Sequence, residues 1–382
     1  MPVRAEFEKY RSLLNRLTAA SADIGAGDGQ PVWEIYVPAH RPVSRRIVDR
    51  LTRQGIACPP LDPIATFQAR FYNYRRNGLK ADPGFLAAAG LNLKLPPESV
   101  HMISRGSGVF LDINNADFLV EACEDSGFTM APGLDILDFG GSTGRTVCNL
   151  AYGFPEVRWH CCDPSPVSIA WGRENHPEVN YFVSNQNPPL ARGDDRLDGI
   201  LAKSVWTHFS ASASRRWLTE LSRVVRPGGF LALTAHGPHD IARRIVYGNP
   251  SPDYGLLEKI GRKTGNGLLN KILRKFRGPS ADRKDAEYRF LDMVTEKISD
   301  RGHFFSPYAP WTLSGQGDIR DAENADTSQW GLTFFTQQWF KAHLEPTPWR
   351  IAGYHIGRTG HRQDIYVLRN DKPPRDRDTP RG

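Results

Sequence analysis

A chain of 382 residues, 40% hydrophobic and 24% charged, can bury a large core and reads as a globular protein of two domains, or of one domain with substantial additions. Its net charge of +7 points to an anionic partner (a phosphorylated substrate, nucleic acid or lipid headgroups) without choosing among them. No apolar run is long enough to span a bilayer, and MPVRAEFEKYRSLL at the start lacks the apolar stretch and cleavage site of a secretory signal, so the expected location is cytoplasmic. The five cysteines show no Cys-x-x-Cys spacing and are expected to be buried, reduced thiols, with no metal site.

Residues 1–95 read as a mainly helical extension. Phe7, Tyr10, Leu13, Leu14 and Leu17 share one helical face, SADIGAGDGQP is a flexible break, and VSRRIVDRLTRQG is a helix that stops at Gly55. KLPPES at 94–99 is a linker. From 96 to 240 strands and helices alternate. NADFLVEACEDSG is a helix with Asn115 as cap and Gly127 as stop. LDILDFG is a strand, RTVCNLAYGF a helix, VRWHCCD a strand, and SPVSIAWGREN a helix capped by Ser165. In VRWHCCD the adjacent Cys161 and Cys162 would point to opposite faces. YFVSN and LDGILAKSVW are strands, ASRRWLTELSRVVRPGG is a helix, and FLALTAHG is the fifth strand. Five strands with intervening helices imply a parallel sheet covered on both faces. A basic, mainly helical and partly aromatic insertion follows at 241–325. Residues 326–370 hold a helix, TFFTQQWFKAHL, and two strands, WRIAGYHIG and QDIYVLRN, joined by RTGHR. The tail, 371–382, is charged, proline-rich and expected to be disordered.

The segment LDFGGSTGRT at 137–146 carries the chemistry. It stands where the first alternating strand meets a helix, the edge at which doubly wound sheets bind ligands. Asp138 precedes its first glycine, and a carboxylate there suits a cationic ammonium group and repels a pyrophosphate. Asp163 ends the next strand, where an acid can bind both hydroxyls of a ribose. Two rival readings are weaker. As a hydrolase G-x-S-x-G, the turn would need an exposed Ser142 nucleophile, and Asp138 would oppose a developing oxyanion. As a dinucleotide fingerprint, G-x-G-x-x-G cannot be read in it.

The acid–glycine–acid order resembles the first two motifs of class I S-adenosylmethionine-dependent methyltransferases. The resemblance implies a Rossmann-like, doubly wound α/β sheet of seven strands whose last pair is an antiparallel hairpin, with S-adenosylmethionine as cofactor. It implies that Asp138 meets the donor's amino group, that Gly140, Gly141, Ser142 and Gly144 line the donor, that Asp163 holds its ribose and that Asn185 lies by its adenine. Ser142 stands where that family has a glycine, and Asn185 where an acid is commoner. LPPESVHMISRGSGVFLDINNADFLVEACEDSGF is similar to the lead-in of methyltransferases found with bacterial glycan and polysaccharide biosynthesis enzymes, which implies O-methylation of a sugar, glycan or related secondary metabolite.

NPPL at 187–190 resembles the NPPY of amino-group methyltransferases. It precedes the fourth strand rather than ending it, and Leu190 replaces the stacking aromatic, so a nucleic-acid acceptor is not favoured. His208, just after the fourth strand, is the first candidate general base, and His236, at the end of the fifth, the second. Packing or capping of the next helix is the alternative role for His208. Phe304, Phe305, Tyr308 and Trp311 would line an acceptor pocket or form core. The amphipathic LLNKILRKFR lies in 259–277, a segment without acids that would rest on an anionic membrane or serve as a solvated lid. A catalytically inactive, S-adenosylmethionine-binding partner protein is the rival from another class.

Overall fold

The computed structural model describes residues 40–56, 94, 96–97, 100, 113–241, 280–307, 327–359 and 363–374. The helix expected at 1–20, the SADIGAGDGQP break, half of KLPPES, the 259–277 segment, Tyr308, Trp311 and the end of the tail lie outside them.

A seven-stranded sheet organises the described residues. Its strands are β1 (Asp135–Phe139), β2 (Arg158–Asp163), β3 (Asn180–Val183), β4 (Leu197–Ala202), β5 (Val225–Ala235), β8 (Trp349–His355) and β9 (Asp364–Asn370). Their spatial order is β3-β2-β1-β4-β5-β9-β8. The first five are parallel, and β9 pairs antiparallel with both β5 and β8. The order reverses between β1 and β4, so the crevice of a doubly wound sheet falls at the carboxyl ends of β1, β2 and β4.

Alternation along the strands separates two cores. Ile136, Cys161, Phe230, Ala232 and Val367 face a layer that includes α1 (Pro42–Arg53), α2 (Ile113–Asp125), α3 (Val147–Gly153) and α4 (Pro166–Asn175). Leu137, Phe139, Cys162, Leu231 and Leu368 face α5 (Ala211–Val224) and α7 (Gln337–Leu344). Cys161 and Cys162 therefore do point to opposite faces, and the four described cysteines are buried free thiols.

Local chemistry explains several boundaries. Ser165 caps α4 by accepting from Ser168 N at 3.2 Å, and Ser210 caps α5 by accepting from Ala213 N at 3.1 Å. Gly55 and Gly127 both have positive φ, at 75° and 87°, just past the ends of α1 and α2. The start of α1 is capped from outside itself. Asp117, on α2, accepts from Val43 N and Ser44 N, each at 2.9 Å, and from the Ser44 hydroxyl. Burial pushes the Asp117 carboxyl up to about 6, and these donors pull the other way.

Three expectations need correction. Asn115 does not cap α2, because the helix begins two residues earlier at Ile113. RPGG does not end α5 but belongs to β5, which starts at Val225. TFFTQQWFKAHL is not one helix. Its start lies in β7 (Gly331–Phe335), and only Gln337–Leu344 is helical, capped by Thr336 accepting from Trp339 N at 3.2 Å. β7 pairs antiparallel with β6 (His303–Pro307) in a second, two-stranded sheet packed beside α6 (Ser280–Arg301). The free edge of β7 meets the main body: Thr333 N donates to Thr207 O at 2.9 Å, and Phe335 N donates to His236 O at 3.1 Å.

Candidate cofactor and acceptor site

β1 delivers Asp138 and the glycine turn to the carboxyl edge of the sheet. The turn is bonded to itself and to β2. Gly140 N and Gly141 N both donate to Cys162 O, at 2.9 and 3.1 Å, and Gly144 N donates to Gly141 O at 2.9 Å. Ser142 N donates to Asp163 Oδ2 at 3.0 Å. These N–H groups are not presented to a ligand, unlike those of a phosphate-binding loop, which must point at the anion. A pyrophosphate would also face the Asp138 and Asp163 carboxylates.

The glycines are required by protein neighbours. Gly140 and Gly144 have φ of 73° and 85°. A Cβ would lie 2.7 Å from Val205 Cγ2 at Gly140, and 2.6 Å from both Asp138 Oδ2 and Cys161 Sγ at Gly141. Ser142 has φ of 51°, the left-handed region that favours glycine, which explains why a glycine suits this position. Its hydroxyl donates to Ser168 Oγ at 3.3 Å rather than to a histidine. That is not the arrangement of an activated nucleophile.

Asp138 is 3% exposed, whereas Asp163 is half-buried at the end of β2. Asp163 Oδ1 accepts from Ser165 N at 2.9 Å, so each of its oxygens takes one backbone N–H. A carboxylate has about four lone-pair sites, so such a group at the end of β2 can also meet the hydroxyls of a ribose. Asn185 is exposed just beyond β3. The turn, the two acids and the exposed Asn185 thus lie along the ends of β1, β2 and β3 and fit a nucleoside bearing a cationic group.

The second half of the edge is formed by the ends of β4 and β5. Ser204, at φ 57°, donates from its N to Thr234 Oγ1 at 2.7 Å and from its hydroxyl to Gln363 Oε1 at 3.1 Å. Thr234 Oγ1 donates to the same Gln363 oxygen at 2.7 Å. His208 follows. Its Nδ1 lies 3.1 Å from Gly331 O and must donate to it, which leaves Nε2 as the proton-accepting nitrogen. Burial pushes this imidazole down to about 4, so it is neutral near pH 7. His208 does not cap α5, since Ser210 does.

His236, 6% exposed, stacks on Phe334 with ring centroids 5.0 Å apart, and its Nδ1 is 3.0 Å from Asp240 Oδ2. Asp240 is 1% exposed. Behind them, Asp364 accepts from Tyr354 OH and Gly357 N, each at 2.8 Å, and burial pushes its carboxyl up to about 7. The structure therefore brings His208 and His236 together under β7, on the opposite side of β4 from the glycine turn. Phe304 is half-buried beside Phe334, at 6.5 Å between centroids, and Phe305 is half-buried in the same strand. NPPL lies away from this edge chemistry, between β3 and β4, with Leu190 buried and its N donating to Glu220 Oε1 at 2.6 Å. Among the described residues no cluster of histidine, cysteine and carboxylate groups could hold a metal ion, and no helix is long and apolar enough to cross a membrane.

Residues 136–229, from β1 into β5, match the family model of the methyltransferase domain. That stretch forms the core of the sheet. The match implies S-adenosylmethionine as the methyl donor, and the turn with its two acids could hold it. The chain is 32% identical over 100 residues to malonyl-[acyl-carrier protein] O-methyltransferase of Hahella chejuensis, a match covering 25% of this chain and about a third, 34%, of that protein. Among solved structures it is similar to an S-adenosylmethionine-dependent methyltransferase of Methanosarcina mazei, with 15% identity, TM-score 0.37, and coverage of 63% of this chain and 93% of that one. It is also similar to a putative sarcosine dimethylglycine methyltransferase of Galdieria sulphuraria, with 15% identity, TM-score 0.32, and coverage of 68% and 85%.

Asp240, Tyr181 and Gln363 belong to no motif in the sequence. A helical spacing of four residues from His236 was the one local signal for Asp240.

Proposed function

We propose that this protein transfers the methyl group of S-adenosylmethionine to a hydroxyl of a sugar, glycan or related secondary metabolite. One observation carries the donor half of this reading: the N–H groups of the glycine turn are taken up by Cys162, Asp163 and the turn itself, while carboxylates lie beneath and beside it. Such a turn suits a sulfonium nucleoside and disfavours a pyrophosphate.

A sulfonium supplies an electrophilic methyl group, and displacement from it is in line. The protein's tasks are therefore alignment and removal of the acceptor's proton. Asp163 would orient the ribose and Asp138 the ammonium. The imidazoles at the ends of β4 and β5 would take the proton. His208 would accept it at Nε2, but its burial makes the imidazolium costly. His236 has the Asp240 carboxylate at 3.0 Å, which would stabilise the charge of the imidazolium formed. The half-buried Phe304 and Phe305 supply faces that pack against sugar C–H groups.

Calorimetry with S-adenosylmethionine tests the donor half: binding is expected, and its absence overturns the reading. Labelled donor with a panel of glycans, small hydroxylated metabolites and a malonyl thioester tests the acceptor. The malonyl arm is included because of what the Hahella relative is named for. His236→Ala and His208→Ala should both keep donor binding, with the larger loss of turnover in His236→Ala. Turnover confined to the malonyl arm would replace the hydroxyl acceptor with a carboxylate. Donor binding without turnover on any arm would favour a non-catalytic partner. The 259–277 segment, rich in lysine and arginine and with no acid in its sequence, would make peripheral contact with an anionic membrane, which sedimentation with anionic liposomes at moderate salt would detect.

A further inference from the structure

The glycine turn is also braced from beneath, by a side chain of β3. We propose that Tyr181, on β3, is a positioning residue for the glycine turn: its ring is wedged between Gly144 and Gly172, and its hydroxyl meets the Thr143 carbonyl. Donor affinity is thereby set by a side chain that the donor does not touch. This rests on the donor reading given above.

Tyr181 is 7% exposed and lies across from Cys161 in β2. A Cβ on Gly144 would fall 1.9 Å from its hydroxyl oxygen and 2.9 Å from its ring carbon Cζ. A Cβ on Gly172, in α4, would fall 2.5 Å from Cε1 on the ring. The two glycines thus make one slot, with the turn on one side and a helix on the other. The hydroxyl donates to Thr143 O at 3.4 Å. Burial pushes the phenol well above its ordinary range, so the proton for this bond is always present.

The bond is aimed at a useful place. Asp163 holds the amide of Ser142 at 3.0 Å, and Tyr181 holds the carbonyl of the next residue. Two consecutive residues of the turn are therefore fixed by two different strands, β2 and β3. One of the two is Ser142, whose positive φ a non-glycine residue keeps only when its surroundings impose it. Displacing the turn also displaces Asp138 and Asp163 relative to each other, and misplacement by about 1 Å in a ligand-aligning site can cost on the order of a hundredfold. A phenylalanine would fill the same slot and leave Thr143 O without its side-chain donor.

Gly172 gives the test its sign. Alanine at a helix interior ordinarily favours the helix over glycine. At this position it pushes the tyrosine ring toward the turn instead. The full-length chain is compared as wild type, Tyr181→Phe, Tyr181→Leu, Gly172→Ala and the Gly172→Ala/Tyr181→Leu double variant. S-adenosylmethionine affinity is read by calorimetry, and amide hydrogen exchange of residues 140–148 is read in the ligand-free protein. Tyr181→Phe is expected to bind about fivefold more weakly and Gly172→Ala about tenfold, each with faster exchange at the turn. With Tyr181→Leu already present, Gly172→Ala should change affinity less than about twofold, because its effect is transmitted by the ring. Equal effects of Gly172→Ala in both backgrounds would overturn the proposal. So would unchanged turn exchange in Tyr181→Phe, even if Tyr181→Leu proved too unstable to purify. A wild-type protein that fails to bind S-adenosylmethionine would count against the methyltransferase reading, and the exchange measurement would still decide the role of Tyr181.

Discussion

The two halves of the sheet's carboxyl edge are built on different plans. The half at β1, β2 and β3 is local: Asp138, the glycine turn, Asp163 and Tyr181 come from fewer than fifty consecutive residues and are joined largely through backbone hydrogen bonds. The half at β4 and β5 is assembled from a distance. Gly331 meets His208 across 123 residues, Gln363 meets Ser204 across 159, and β7 reaches the edge from a separate sheet. A site made from one contiguous stretch can be kept while the segments that assemble the other half are exchanged.

The sharpest way to break the first half is Gly144→Ala. The new methyl would overlap the Tyr181 hydroxyl, and the residue must also hold φ 85°. Overpacking and a left-handed backbone together should cost about 3 kcal/mol. Urea denaturation should show the loss, and calorimetry should show donor binding abolished. Acid should break the second half first. Burial pushes His208, His303 and His343 down to about 4, so each binds a proton less readily folded than unfolded. Their support is complete above about pH 6.5 and is lost as pH falls toward 4. Melting temperature should fall across that window, and hydrogen exchange at pH 5 should open β6 and β7 before β1. A smaller and more local break is Thr333→Val, which removes the 2.6 Å bond from Thr333 Oγ1 to Phe209 O. About 1–2 kcal/mol should be lost with donor affinity unchanged. If donor binding fell as well, the two halves would not be separable. The mildest change, Ser142→Gly, relieves φ 51° and loses one long hydroxyl contact. Stability should stay within about 1 kcal/mol, and donor binding should persist. Turnover that vanished with the serine hydroxyl would restore a nucleophilic role for it.

The same contrast explains what could be read without coordinates. Asp138, the glycine turn, Asp163, the Ser165 cap and the closing pair β8 and β9 were legible because each is written in neighbouring residues. β7 was not, because TFFTQQWF offers apolar residues at helical spacing, and only the partner strand, more than twenty residues earlier, shows that its first part is extended. Thr336 marks the switch, but a threonine is a weak signal until the helix after it is known. Asn115 failed as a cap for the opposite reason: a good capping residue lies inside a helix that has already begun. The sequence puts His208 ahead of His236 as candidate base, whereas Asp240 and the Gly331 carbonyl distinguish the two only in space.

Cys161 and Cys162 share one stretch of backbone in β2, so whatever shields the one peptide shields the other. Their thiols nevertheless lie in the two separate cores, one on each face of the sheet. Burial raises both far above the range in which a thiolate forms, with the Cys162 thiol pushed up to about 12. Neither should react until its own layer parts from the sheet. The pair is therefore a built-in reporter with an internal control. The ratio of alkylation at the two neighbouring sulfurs, read by mass spectrometry, would tell which face comes away first as the protein unfolds.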